Sequence, residues 1–192
     1  GDDQEVLHLL RDAGCDVDGT RVRFPKGLAR KLASTAPSQF TQFARNPLKS
    51  VEIGGDKIVF APVYGPPFIR GLDGERRYAE IDDFVNMVKL VYMLPGLHHS
   101  GGTLCEPVDL PVTKRHLEMI YAHIKYSDKP FMGSVTAPSR AEDSVEMARL
   151  LFGDKFVKNN CVLVSLINAN SPMTWDDTML GALKVYARAG QA

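Results

Sequence analysis

The sequence predicts an α/β protein. The expected fold is an incomplete (β/α)8 TIM-type barrel, its first three βα units preceded by an N-terminal α/β segment with hairpins. Three observations predict it. Turn dipeptides punctuate residues 1–96, so that half reads as hairpins mixed with helices. From residue 97 apolar strands alternate strictly with amphipathic helices, the pattern of a parallel sheet with right-handed crossovers. Residues 97–189 hold three such units at 31 residues each, and eight at that length approach the roughly 250 residues of a closed barrel. A three-stranded doubly wound sheet is the structural alternative, with a thin core. The chain is 192 residues long and stops where a fourth strand is expected, so it reads as the front part of something longer. The domains expected are 1–96 and 97–192.

In the first half, Asp3 is placed to cap a helix carrying Val6, Leu9, Leu10 and Ala13, with Gly14 at its end. Asp18-Gly19 supplies the turn of a tight hairpin between Val17 and Val22. Pro25 suits the first turn of a second helix, with Leu28 and Leu32 on one face. Gly54-Gly55 separates Ser50–Ile53 from Lys57–Phe60, and Asp73-Gly74 separates Phe68–Leu72 from Glu75–Tyr78, so two more hairpins are expected. A helix from about Asp82 to Leu94 carries Phe84, Val85, Val88 and Val91 at helical spacing before Pro95-Gly96.

In the second half, a strand over Leu97–Cys105 leads to a helix with Leu117, Ile120, Tyr121 and Ile124. A strand at Pro130–Ser134 precedes a helix over 140–152, opened by the capping box Ser139-Arg140-Ala141-Glu142. A third strand, Cys161–Ile167, is continuously apolar, as a strand buried on both faces should be. The last helix spans about 175–188, with Thr174 and Asp177 in cap positions.

Composition narrows function. Lys+Arg and Asp+Glu are both 23, so no basic field invites nucleic acid or anionic lipid. The apolar stretch around Phe84–Leu97 is broken by Asn86, Lys89, Pro95 and Gly96, so no membrane span is expected. Three scattered cysteines and no visible secretory signal point to reduced thiols in a cytoplasmic protein. His98-His99 beside Cys105 and Glu106 invites a metal, but neighbouring strand residues face opposite sides and zinc needs three or four convergent ligands. No metal site is expected. His116 and His123 lie seven apart on one helix and read as a solvated face.

In parallel α/β sheets chemistry collects at the carboxyl ends of the strands. That rule picks Cys105, Glu106 and Asp109 after the first strand. It picks Ser134, Thr136 and Pro138 after the second, and Asn168, Asn170, Ser171 and Trp175 after the third. A carboxylate and an aromatic face together suit a cationic amine. The plainer reading is that Asp109, Ser139 and Thr174 cap helices and Trp175 packs a helix start.

Several runs, in order, resemble the trimethylamine:corrinoid methyltransferase family. They are Ala36-Pro37 with Phe43-Ala44-Arg45-Asn46-Pro47, then Gly65-Pro66-Pro67-Phe68-Ile69-Arg70-Gly71-Leu72-Asp73-Gly74-Glu75-Arg76-Arg77. Asp83-Phe84, Glu106-Pro107-Val108-Asp109-Leu110-Pro111, Ser127-Asp128-Lys129-Pro130 and Ile167-Asn168-Ala169-Asn170-Ser171-Pro172-Met173 follow.

The resemblance implies a (β/α)8 barrel enzyme that moves a methyl group from a methylated amine, such as trimethylamine or glycine betaine. The acceptor it implies is the cobalt of a corrinoid (cobalamin) carried by a separate corrinoid protein, with none bound directly by this chain. Trimethylamine enzymes of the family carry pyrrolysine in the later barrel, beyond the end of this chain, and many relatives lack it. Strand-end position, not the resemblance, nominates Glu106, Asn168, Asn170 and Trp175 for the substrate end, with Asp109 a weaker candidate. No catalytic residue is assigned. The competing class is a non-catalytic binding or assembly module. Either way the open edge after the third strand should be covered, which predicts a homo-oligomer.

Overall fold

The structure, a computed structural model, describes residues 2–192. Asp3 opens helix α1 (Gln4–Asp12), its carboxylate accepting from the Val6 N–H at 3.2 Å. The Asp18-Gly19 turn joins β1 (Asp16–Asp18) to β2 (Arg21–Arg23) in an antiparallel pair, and the short helix α2 spans Leu28–Ala33. The Asp73-Gly74 hairpin also forms, pairing β5 (Phe68–Arg70) with β6 (Arg76–Tyr78). Helix α3 follows at Ile81–Met93.

One expected hairpin is replaced. Residues 50–53 do not pair with 57–60 across Gly54-Gly55. Strand β4 (Val51–Gly54) instead pairs antiparallel with β3 (Gln39–Gln42), a strand the sequence reading missed. Gly54 serves a close approach there, because a Cβ would stand 2.1 Å from the Ser38 carbonyl oxygen. Residues 57–60 find a different partner. The Phe60 carbonyl accepts from the N–H groups of His98 and His99 at 2.9 and 3.2 Å.

The second half is mixed α/β with small sheets, and no closed barrel is present among the described residues. Helices α4 (Arg115–Tyr126), α5 (Pro138–Phe152), α6 (Asp154–Asn159) and α7 (Asp177–Arg188) alternate with short extended segments. Strands β7 (Phe131–Met132) and β8 (Leu163–Val164) form the one parallel pair among them. The expected strand over 97–105 shrinks to a ladder at its middle. Ser100 N–H donates to Pro130 O (2.8 Å) and Met132 N–H to Gly101 O (2.9 Å). Residues 100–101, β7 and β8 thus lie side by side in chain order. The outer edge of β8 is not bare: Ala192 N–H reaches Leu163 O, and the Gln191 side chain accepts from Val162 and Leu163.

Three helix starts differ from expectation: α2 begins at Leu28 after Gly27, which leaves Pro25 before the helix rather than in its first turn, and two others differ for local reasons. Helix α5 begins at Pro138 with Ala137 as its N-cap, so Ser139 lies inside the helix and its expected capping box does not form. Proline is preorganised for the first helical position and drives the residue before it extended, which fixes the start two residues early. Helix α7 is capped by Asp176, whose carboxylate accepts from Met179 N–H at 2.7 Å, rather than by Thr174 or Asp177.

Two apolar clusters hold these elements. Phe84, Val88 and Val91 of α3 pack against Leu104, Cys105 and Ala122. Phe131 and Leu163 of the parallel pair are sandwiched by Ile120, Val145, Val157 and Tyr186 of the helices. Polar ties join the halves. Lys184 of α7 bridges Asp3 and Glu5 at 2.6 and 2.9 Å. Lys129 is buried and donates to the carbonyls of Val91, Leu94 and Leu97 at 2.7 to 3.0 Å, satisfying the end of α3. The runs that carry the family resemblance also meet. Lys49 pairs with Asp128 at 2.5 Å, Asn46 donates to the same carboxylate, and Arg45 donates to the Ser127 carbonyl.

Candidate functional site

A cavity of about 260 Å³ opens where the residues after the first two extended segments meet the start of α4 and α5. Its position fits the rule that strand carboxyl ends in α/β folds carry chemistry. Tyr64 and Gly65 form one wall. Gly65 is held by its N–H on the Thr103 carbonyl (2.6 Å), and a Cβ there would stand 2.2 Å from the Leu104 carbonyl oxygen. The Gly65-Pro66-Pro67 run therefore presses directly on the strip leading to Glu106, whose N–H donates to the Pro66 carbonyl.

Charged side chains line the opposite walls. Glu106, half-exposed, pairs through Oε1 with Arg115 Nη1 at 2.5 Å. Arg115 is largely buried, and its Nη2 also reaches the Leu110 carbonyl at 3.3 Å. Arg140, in the first turn of α5, donates to the Thr136 hydroxyl at 2.7 Å. His116 is buried and bonds Asp143 through Nε2 at 2.7 Å.

Two further histidines belong to a closed network, His123 lining the cavity and His99 buried behind it. His123 lies between the Ser100 hydroxyl (2.7 Å, Nδ1) and the Gly102 carbonyl (2.8 Å, Nε2). A carbonyl only accepts, so Nε2 carries the proton, and with the ring neutral Nδ1 accepts from the serine. His99 accepts from Gly101 N–H at Nδ1 and donates from Nε2 to the Gln42 side-chain oxygen. The Gln42 amide in turn donates to the carbonyls of Phe131 and Val162. The Gly101 N–H on its Nδ1 makes the His99 ring neutral. Burial agrees, holding His99 down to about 3 and His123 to about 4. Burial also pushes the Cys105 thiol up to about 11, so it is no ready nucleophile.

The expected solvated face at His116 and His123 is thus corrected: both are buried. Their spacing with Ile120, at i, i+4 and i+7, was the available signal for an inward face. Of the residues picked from the sequence, Glu106, Ser134 and Thr136 line the cavity. Asp109 accepts from Ile81 N–H at 3.0 Å and caps α3. Asn168, Asn170 and Trp175 stand exposed in the loop after β8 and do not line this cavity; Asn170 donates to Asp176 at 3.1 Å. Tyr64, Arg115, His116 and Arg140 were missed, because nothing in their local sequence marks a common cavity. Among the described residues no three His, Cys, Asp or Glu side chains cluster as a metal site, and no helix is long and apolar enough to cross a membrane.

Comparison with known proteins places the chain in a family. A glycine betaine methyltransferase of Desulfitobacterium hafniense (strain Y51) is 50% identical over 190 residues, covering 98% of this chain and 40% of that protein. A proline betaine:corrinoid methyltransferase of Eubacterium limosum is 27% identical over 199 residues, covering 99% of this chain and 41% of that protein. The chain therefore spans about two-fifths of the length of these curated relatives. The family model described as trimethylamine methyltransferase (MTTB) matches residues 2–192, and the chain belongs to that family.

Proposed function

We propose that this chain contributes the substrate-binding front of an enzyme that moves a methyl group from a methylated amine to a corrinoid on a partner protein. The family match along residues 2–192 carries the reading, and the 50% identity to a glycine betaine methyltransferase favours a quaternary amine as donor. The side-by-side order of residues 100–101, β7 and β8 supports placing them as the first three strands of a (β/α)8 barrel. Residues 1–96 then precede the barrel as a separate segment.

The corrinoid supplies cobalt(I), a strong nucleophile for an N–CH₃ carbon. The C–N bond breaks with its electron pair left on nitrogen, so a quaternary ammonium departs as a neutral amine and needs no proton. The protein's work is then to orient the donor and keep water away. Glu106 suits the cationic end. Arg115 engages its Oε1, and Glu106 lines the cavity, so its other oxygen would take the ammonium. In this reading Asn168, Asn170 and Trp175 approach the donor from the loop after β8, with Asp109 confined to holding α3.

The test is methyl transfer by the purified full-length protein. It would be incubated without oxygen with cob(I)alamin and, in turn, trimethylamine, glycine betaine and proline betaine. The expected result is methylcobalamin from a betaine, read by its absorbance change. No methylation from any of the three overturns the proposal. Glu106→Gln should raise KM for the active donor about tenfold, the value of one charge-assisted contact. Unchanged kinetics in both Glu106→Gln and Asn170→Ala would remove these residues from the substrate end.

A further inference from the structure

The cavity lining includes a single Phe, Tyr or Trp ring, that of Tyr64, on the wall it shares with Gly65. The backbone around it is shaped to admit it. A Cβ at Gly102 would stand 2.8 Å from the Tyr64 hydroxyl oxygen and 3.1 Å from Cε2 of the ring, so the ring lies directly on that glycine. The Gly65 N–H on the Thr103 carbonyl, at 2.6 Å, fixes the chain beside it. Burial pushes the phenol above the ordinary tyrosine range, so the ring is uncharged at neutral pH. The residue is still 43% exposed, which leaves part of it uncovered.

Other rings in the molecule show what such a face attracts. Lys49 stands 4.0 Å from the ring centre of Tyr92, and Arg76 stands 3.8 Å from that of Phe68. Lys89 and Lys125 take up Tyr126 and Tyr121 in the same way. Among the described residues no lysine or arginine stands over Tyr64, although two arginines line its cavity. Arg115 is held on Glu106, and Arg140 on the Thr136 hydroxyl.

The other polar groups of the lining do not by themselves select a methylated cation. Arg115 offsets much of the Glu106 charge, and Arg140 adds a positive group. Arg115 Nε and His116 Nδ1 are buried without a hydrogen-bond partner. Asp143 only accepts, so neutral His116 carries its proton on Nε2, and the two unpartnered atoms are one donor and one acceptor. A quaternary ammonium has no N–H and no lone pair, so its charged end can pair with neither. A ring face requires neither, because its quadrupole attracts positive charge spread over methyl groups.

We propose that Tyr64 is the specificity-determining wall for the methylated nitrogen, its ring face selecting a quaternary ammonium over an uncharged group of the same shape. The cationic ligand rests on the function proposed above. The choice of residue rests on the cavity and on a ring face that no protein cation occupies. The aromatic wall that the sequence suggested at Trp175 is supplied, within this cavity, by Tyr64.

The test is calorimetric titration of the purified full-length protein with glycine betaine and with 3,3-dimethylbutyrate. The second ligand has carbon in place of the ammonium nitrogen and otherwise the same shape. Wild-type protein should bind glycine betaine at least about tenfold more tightly. Tyr64→Leu should weaken glycine betaine about tenfold and leave dimethylbutyrate within about twofold. Tyr64→Phe keeps the ring and should hold both ligands within about threefold. Fluorinated phenylalanines at position 64 remove charge from the ring face while nearly keeping its shape. Each added fluorine should weaken glycine betaine further, with dimethylbutyrate level. A flat fluorine series overturns the proposal, as does an equal loss of both ligands in Tyr64→Leu. Wild-type protein that binds the two alike, or binds neither, also overturns it. Fluorine-sensitive binding of glycine betaine without methyl transfer keeps the role of Tyr64 and ends the proposed activity. Methyl transfer from glycine betaine with KM unchanged across the fluorine series does the reverse.

Discussion

Two polar clusters adjoin in this molecule, with His123 of the first also lining the cavity of the second, and they are built differently. The first, Gln42, His99, Ser100 and His123, is buried and complete, with every side-chain donor and acceptor that the geometry defines matched to a partner. The second, Glu106, Arg115, His116 and Arg140, is half-open and incomplete. A closed network ties strands together and gains nothing from a ligand. An open one stores unmet hydrogen bonds that a ligand can satisfy. The difference teaches that burial of a histidine and satisfaction of its second nitrogen are separate matters.

Acid should break the closed cluster first. His99 and His123 stay neutral in the fold, down to about 3 and about 4, while the unfolded chain protonates them near 6.5. The unfolded state therefore binds more protons below pH 6.5, and stability falls as pH falls through that window. Each ring should cost roughly 2 kcal/mol by pH 5, at about 1.4 kcal/mol per pH unit. Urea midpoints at pH 7.5 and pH 5 measure this directly. A flat profile would mean that these rings are not held neutral.

Gln42→Ala should come next. It strands the carbonyls of Phe131 and Val162 and the His99 Nε2 proton, for a loss of about 3 kcal/mol. Loss of the midpoint without change in the denaturant slope is the expected signature. Gly65→Ala should cost about 2 kcal/mol, because the Leu104 strip must shift to admit a Cβ. Unlike Gln42→Ala, it should also weaken ligand binding, since Gly65 lines the cavity. Arg140→Gln stands at the other extreme. Its one side-chain bond is to an exposed hydroxyl, so stability should change by less than about 0.5 kcal/mol. A large stability loss there would make the open cluster structural after all.

The contrast also explains what could be read from residues alone. Helices α1, α3, α4 and α7 were legible because a capping carboxylate or a 3.6-residue apolar spacing is local information. The hairpins at 16–23 and 68–78 were legible through Asp-Gly turns for the same reason. Strand β3 was not, since Gln39-Phe40-Thr41-Gln42 carries one large apolar side chain and gains its place from β4 and from Gln42's bonds to residues 131 and 162. Residues 57–60 were misread because their partner, the His98–His99 backbone, lies 38 residues away. In the site, Glu106 was found by the strand-end rule. Arg115, His116 and Arg140 were not, because a shared cavity is a fact of tertiary packing between α4 and α5.

The most direct test of the contrast is the set of ring-nitrogen resonances of the histidines, followed by NMR while glycine betaine is added. The account predicts that the Nδ1 resonance of His116 moves with ligand, and that His99 and His123 stay fixed in their neutral forms. A saturated protein in which His116 does not respond, or in which all three rings shift alike, would contradict it.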